Sequence, residues 1–117
     1  MAWGAPGTVV KIAREPTWQA PILQYEYTLA ENLWWDLSNI DGDGPSRTGS
    51  PFYWENVKLS PTGAGEGQGK CVKIRCRAGQ VCQDAYQHPL DEATKTCPQN
   101  SGDQWLDLCQ PDNQFNN

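Results

Sequence analysis

Three carboxylates between residues 22 and 44 are the side chains of this 117-residue sequence best suited to chemistry. Glu26 lies in the run ILQYEYTL, Asp36 in NLWWDLS, and Asp41 in the glycine-rich turn that follows, with Asp43 two residues further on. Carboxylates accept hydrogen bonds from hydroxyl groups, and two of them can act as acid and base in glycoside hydrolysis. The stretch therefore indicates either binding or cleavage of a sugar polymer.

The two runs that carry Glu26 and Asp36 alternate apolar and polar side chains with a period of two, which is typical of half-buried β-strands. Residues 30–32 predict a three-residue hairpin loop between them. The register that pairs apolar with apolar side chains joins Leu29 to Leu33, Tyr27 to Trp35 and Tyr25 to Leu37. It also sets Glu26 across from Asp36 on the polar face, where like charges are destabilising. Folding gains nothing from this pair, so a functional site is the better explanation.

The rest of the sequence predicts an all-β domain. Strands are expected at residues 8–14, 52–59, 71–76, 91–97 and 104–109. Glycine and proline are frequent, and no helical period exceeds two turns. We therefore predict one β-sandwich domain over residues 1–117, with tails at residues 1–7 and 110–117.

Composition narrows the classes of function. A net charge of −5 argues against nucleic acid as a partner. No apolar run is long enough to cross a membrane, and no signal peptide follows Met1. The turn at residues 41–44 lacks the distal glutamate of a calcium loop, and the glycine-rich residues 61–69 lack the ending of a phosphate loop. The sequence thus predicts neither a metal nor a cofactor.

Five cysteines, all after residue 70, point to disulfides and an oxidising compartment. A metal site is the weaker alternative because the sequence has no Cys-x-x-Cys pair and a single histidine, His88. The odd number leaves one thiol without an intramolecular partner.

Six motifs in order resemble the thaumatin-like (pathogenesis-related group five) family, and more narrowly a small secreted fungal branch related to the yeast-phase-specific proteins of dimorphic fungi. They are GTVVKIAR, YEYTL, WDLSNIDG, CVKIRC, CQDAYQHPLDEATKTCP and QWLDLCQP. The resemblance covers roughly residues 7–111. It implies a thaumatin-like β-sandwich that lacks the family's disulfide-rich second domain.

The same resemblance implies the cysteine pairing. It joins Cys71 to Cys97 and Cys76 to Cys82, and leaves Cys109 without the family's N-terminal partner. Because the family's first strands are also missing, we expect an N-terminally truncated chain, and a monomer unless Cys109 links two chains.

The family's acidic cleft is built from a Glu, three Asp and a basic residue. The matching positions here are Glu26, Asp36, Asp41, Asp84 and either Lys11 or Arg14. The hairpin places Trp34 on the polar face, where it could stack on a sugar ring.

Three hypotheses for this cleft stay open. The first is binding of a β-glucan or a similar cell-wall glycan by a secreted protein, with a role in wall remodelling or antifungal defence. The second is weak endo-β-1,3-glucanase activity, with Glu26 as the acid, its pKa raised by Asp36, and Asp41 as the nucleophile or base. The third is a non-enzymatic protein, either an effector or inhibitor that binds a host protein, or one whose acidic rim only binds cations or maintains solubility.

Overall fold

The computed structural model describes residues 7–42, 49–98 and 102–116, and these form two antiparallel sheets with one short helix. The elements in chain order are β1 (Thr8–Ala13), β2 (Ile22–Leu29), β3 (Asn32–Ser38), β4 (Val57–Pro61), β5 (Ile74–Cys76), β6 (Lys95–Pro98), β7 (Gln104–Asp107) and α1 (Asp112–Phe115). The first sheet has the order β1-β2-β3-β6 and the second β5-β4-β7. The prediction of a mainly β protein is confirmed.

The predicted hairpin register is also confirmed. Strands β2 and β3 pair antiparallel with Leu29 opposite Leu33 and Glu26 opposite Asp36. The Ala30 N–H donates to the Asn32 carbonyl at 2.9 Å and closes the loop. Alternation of side chains therefore separates an inner apolar face from an outer polar face, on which Gln24, Thr28 and Asp36 are nevertheless buried.

The core lies between the two sheets. Trp35 and Leu37 from β3 are fully buried and belong to one cluster with Leu59 and Ile74 of the second sheet. The Trp35 indole Nε1–H donates to the Sγ of Cys97 at 3.3 Å. The aromatic residue of the central strand is thus held against the cysteine of β6.

Two disulfides join cysteines that follow the hairpin in the sequence. Cys71 is bonded to Cys97 and Cys76 to Cys82, which confirms the predicted pairing. Within the described residues, Cys109 is unpaired and exposed. The first bridge links β6 of the four-stranded sheet to the segment that leads into β5, so it ties the two sheets together.

The strand predicted at residues 52–59 begins only at Val57, and this part of the prediction is wrong. Residues 51–54 form turns, in which the Glu55 N–H donates to the Phe52 carbonyl at 3.0 Å. Phe52 is nevertheless buried. Its side chain reaches the core from a turn, so its apolar character is not a sign of a strand here.

Residues 111–116, which were expected to belong to a tail, are packed on the second sheet. Helix α1 buries Phe115, which is 2% exposed, and the Arg77 guanidinium lies 5.1 Å from its ring centroid. The Asn56 side chain donates to the Gln110 carbonyl at 3.0 Å and to Asp112 Oδ1 at 2.6 Å. One aromatic anchor and one buried amide therefore hold the end of the described chain.

In the described part of the protein, no helix has the length and apolar character to span a membrane.

Candidate functional site

The outer face of the four-stranded sheet brings three predicted site residues together. Glu26 and Asp36 are direct cross-strand partners, and the Gln24 Nε2 group donates to Asp41 Oδ2 at 3.2 Å. The Ile22 N–H donates to the Asp41 carbonyl at 3.0 Å, which fixes the turn against the start of β2. We call Gln24, Glu26, Asp36 and Asp41 the acidic face.

Asp36 differs from an ordinary surface carboxylate. It is only 1% exposed, and neither carboxyl oxygen has a hydrogen-bond partner of good geometry in the described part of the chain. Burial raises the pKa of Asp36 to about 8, and the neighbouring Glu26 adds to the shift. Asp36 is therefore mostly protonated at neutral pH. A raised pKa was expected in this pair at Glu26; the structure shows a buried Asp36 whose pKa is raised.

Of the two candidate cations, Lys11 lies next to the acidic face. It lies directly opposite Gln24 in the β1–β2 pairing, so both side chains are on the outer side of the sheet. Arg14 lies elsewhere: its Nη1 atom is 3.5 Å from Glu55 Oε1, and its guanidinium is 5.5 Å from the Phe52 ring centroid.

Asp84 is not part of the acidic face. Its Oδ1 atom is 2.7 Å from Lys95 Nζ, and Lys95 pairs with Trp35 on the inner side of the sheet. Asp84 also lines a groove beside Arg75 and Arg77 on the second sheet. The structure thus pairs Asp84 with Lys95 and not with Glu26, while the segment after Cys82 runs along the edge of β3, where the Tyr86 N–H donates to the Leu37 carbonyl at 2.8 Å.

Trp34 lies on the outer face as expected, opposite Thr28 of β2 and Thr96 of β6, and is half-buried. It is two residues from Asp36 on the same strand and so has the same orientation. Asp43, the other acidic residue considered, falls outside the described residues.

A groove at one end of the acidic face adds a residue that the sequence analysis missed. Its lining includes Lys11, Trp18, Ile22, Ile40 and Asp41. The Trp18 side chain is fully exposed, at 101% of the reference area. A signal was present in the sequence, because Trp18 lies in a connection bounded by prolines, where an aromatic side chain has no strand face to bury it. We call these five residues the Trp18 groove.

Comparison with known proteins corrects the predicted relationship. No curated protein and no solved structure matches the chain significantly. No thaumatin-like family matches either, so the assignment to that family, and with it the implied thaumatin-like fold, is unsupported. One family does match, over residues 4–110: Bys1, the Blastomyces yeast-phase-specific protein. The chain belongs to this yeast-phase-specific protein family.

Proposed function

We propose that this is a secreted protein that binds a β-glucan or a similar cell-wall glycan without cleaving it. The observation that carries the proposal is the Trp18 groove, in which a fully exposed indole lies beside Lys11 and Asp41. Flat aromatic rings with polar groups at their edge suit a sugar, whose ring has an apolar face and a rim of hydroxyl groups.

The groove also contains polar groups held in fixed positions. Gln24 donates to Asp41 and so holds one carboxylate oxygen in place, while the other can accept from a sugar hydroxyl. Lys11 supplies donors from the neighbouring strand. Glu26 and Trp34 continue the same face along β2 and β3. Because Gln24, Thr28 and Asp36 on this face are buried, the exposed contacts for a sugar are concentrated at the Trp18 groove.

Secretion is part of the proposal because of the cysteines. Two disulfides in a small protein are typical of oxidising compartments, and they persist outside the cell. The family description refers to the yeast phase and gives no activity. The glycans of a cell wall are polymers that such a protein would meet after export.

Retention on insoluble β-1,3-glucan tests glycan binding. We expect Trp18→Ala to lower the bound fraction several-fold, because it removes the stacking surface, and Asp41→Asn to lower it as well, because it removes a charged acceptor of hydrogen bonds. Trp105→Ala is the matched control, since Trp105 is 60% exposed on the other sheet. Equal retention of the wild type and Trp18→Ala would refute the proposed site.

A weak endo-β-1,3-glucanase is the second candidate, and the raised pKa of Asp36 beside Glu26 favours it. However, a proton donor must reach the glycosidic oxygen, and Asp36 is almost completely buried. Release of reducing sugar from laminarin that is lost in Glu26→Gln and in Asp41→Asn would establish hydrolysis. If neither binding nor release is detected, the remaining hypothesis is an effector or inhibitor that binds a host protein.

A further inference from the structure

The second sheet concentrates positive charge in a protein whose net charge is −5. Five of the nine lysine and arginine residues lie between residues 58 and 77. Lys58 of β4 pairs directly with Arg75 of β5, which places two positive charges opposite each other. Lys58 also faces Asp107 of β7, which balances one of the two charges, and Arg75 is the exposed member of the pair. The outer side of this sheet is therefore a second candidate for a binding surface.

A groove runs along this side between β5 and helix α1. Its polar lining consists of Arg75, Arg77, Gln80, Gln83, Asp84 and Asn116. The acidic member, Asp84, is already paired with Lys95 at 2.7 Å. Both arginines are exposed: Arg75 lies in β5, Arg77 directly follows its last residue, and both contact the end of the described chain. We call this lining the basic groove.

Contacts with α1 hold the two guanidinium groups in position. Arg75 Nε donates to the Phe115 carbonyl at 3.2 Å, and Arg77 Nη2 donates to Asn116 Oδ1 at 2.7 Å. Lys58, which is buried, donates from Nζ to the Gln114 carbonyl at 2.8 Å behind them. A ligand that meets these arginines loses little freedom in ordering them, which favours binding.

We propose that the basic groove binds a tetrahedral oxyanion, carried as a phosphate or sulfate ester on a larger molecule. Guanidinium groups present planar pairs of N–H donors that match the spacing of phosphate or sulfate oxygens, and two of them can hold one such group between them. The side-chain amides of Gln80 and Gln83 add neutral donors at the rim. This site is independent of the Trp18 groove, which lies on the other sheet.

Titration of the folded protein with inorganic phosphate, and separately with sulfate, tests the site. In a ¹⁵N NMR spectrum we expect a saturable shift of the Nε–H signals of Arg75 and Arg77. Arg75→Gln and Arg77→Gln should each weaken binding about tenfold, because each removes charge-assisted hydrogen bonds. Lys70→Gln is the control, since it removes the same charge from the exposed loop before Cys71.

Retention on two affinity columns then distinguishes a phosphate ester from a sulfate ester. Retention on phosphocellulose alone would indicate a phosphate ester, and retention on heparin alone a sulfate ester; binding to both supports the shared chemistry. Arg77→Gln should disturb folding less than Arg75→Gln, because Arg77 has no hydrogen bond to a main-chain carbonyl of α1 in the described residues. Absence of a saturable shift would overturn the proposal. An equal loss of binding in Lys70→Gln would also overturn it, because the effect would then depend only on net charge.

Discussion

The two sheets each oppose two like charges, but they relieve the repulsion in different ways. On the acidic face, Asp36 is buried opposite Glu26, and its raised pKa means that it is mostly uncharged at neutral pH. On the second sheet, Arg75 cannot lose its proton. There the positive charges are instead met by carbonyl groups of α1, at Gln114 and Phe115.

This difference shows that a carboxyl pair and a basic pair impose different demands on the fold. A carboxyl group can adjust its protonation, so the acidic face needs no partner residue to neutralise Asp36. The basic pair requires acceptors from another segment. Lys58 also has Asp107 opposite it on β7, and burial together with Lys73 and Arg75 lowers the pKa of Lys58. The docking of α1 is therefore coupled to the charge of the second sheet.

Removing the disulfide that links the two sheets should have the largest effect on stability. Replacing both Cys71 and Cys97 by alanine should lower the free energy of unfolding by about 3.5 kcal/mol, because the unfolded chain regains the entropy of a long loop. Urea denaturation measures this change. The matched control removes Cys76 and Cys82, whose shorter loop predicts about 2.4 kcal/mol. A smaller loss for the long bridge than for the short one would contradict the argument.

Removing the anchor of α1 tests whether the helix is needed by the basic pair. Phe115→Ala should lower the free energy of unfolding by about 3 kcal/mol, because it leaves a cavity against Arg77 and loosens the carbonyl acceptors. Thermal denaturation checks it, with the exposed Gln114→Ala as control. If Phe115→Ala and the control have the same melting temperature, α1 does not stabilise the second sheet.

The acidic pair predicts a specific dependence on pH. Because the pKa of Asp36 rises from 3.8 to about 8 on folding, the folded state binds more protons than the unfolded state between these values. The contribution of Asp36 to stability should therefore fall as the pH rises from 4 to 8. From these pKa values we expect a loss of up to about 4 kcal/mol between pH 5 and pH 9.

Asp36→Asn keeps the shape of the side chain and removes the titration, so its stability should vary much less over this range. Asp41→Asn, on the same face but exposed, should retain the wild-type profile. Chemical denaturation at pH 5, 7 and 9 distinguishes the two variants. A wild-type profile in Asp36→Asn would show that another group titrates.

Arg14 belongs to neither charged pair and should have the smallest effect. Its side chain is 49% exposed, and its contacts are an ion pair with Glu55 and the Phe52 ring. Arg14→Ala should change the free energy of unfolding by less than about 1 kcal/mol and leave glucan retention unchanged. A several-fold loss of retention would return Arg14 to the proposed glycan site.

The hairpin was predictable from the sequence because its signal is local. Alternation with a period of two assigns each side chain to a face, and a slip by one residue would expose Trp35 and Leu37. The opposition of Glu26 and Asp36 follows from that register without any knowledge of the rest of the chain. By contrast, the turn at Phe52 was mistaken for a strand, since an apolar side chain can reach the core from either conformation.

The sequence by itself therefore determined which face of the hairpin each side chain occupies and the register that this alternation imposes. The tertiary structure decided which distant residues meet. It placed Asp84 beside Lys95, Trp18 beside Asp41, and Phe115 under Arg77. It also decided that Asp36 is buried and that its pKa is therefore raised, because desolvation depends on which parts of the folded chain cover a group, and sequence spacing does not contain that information.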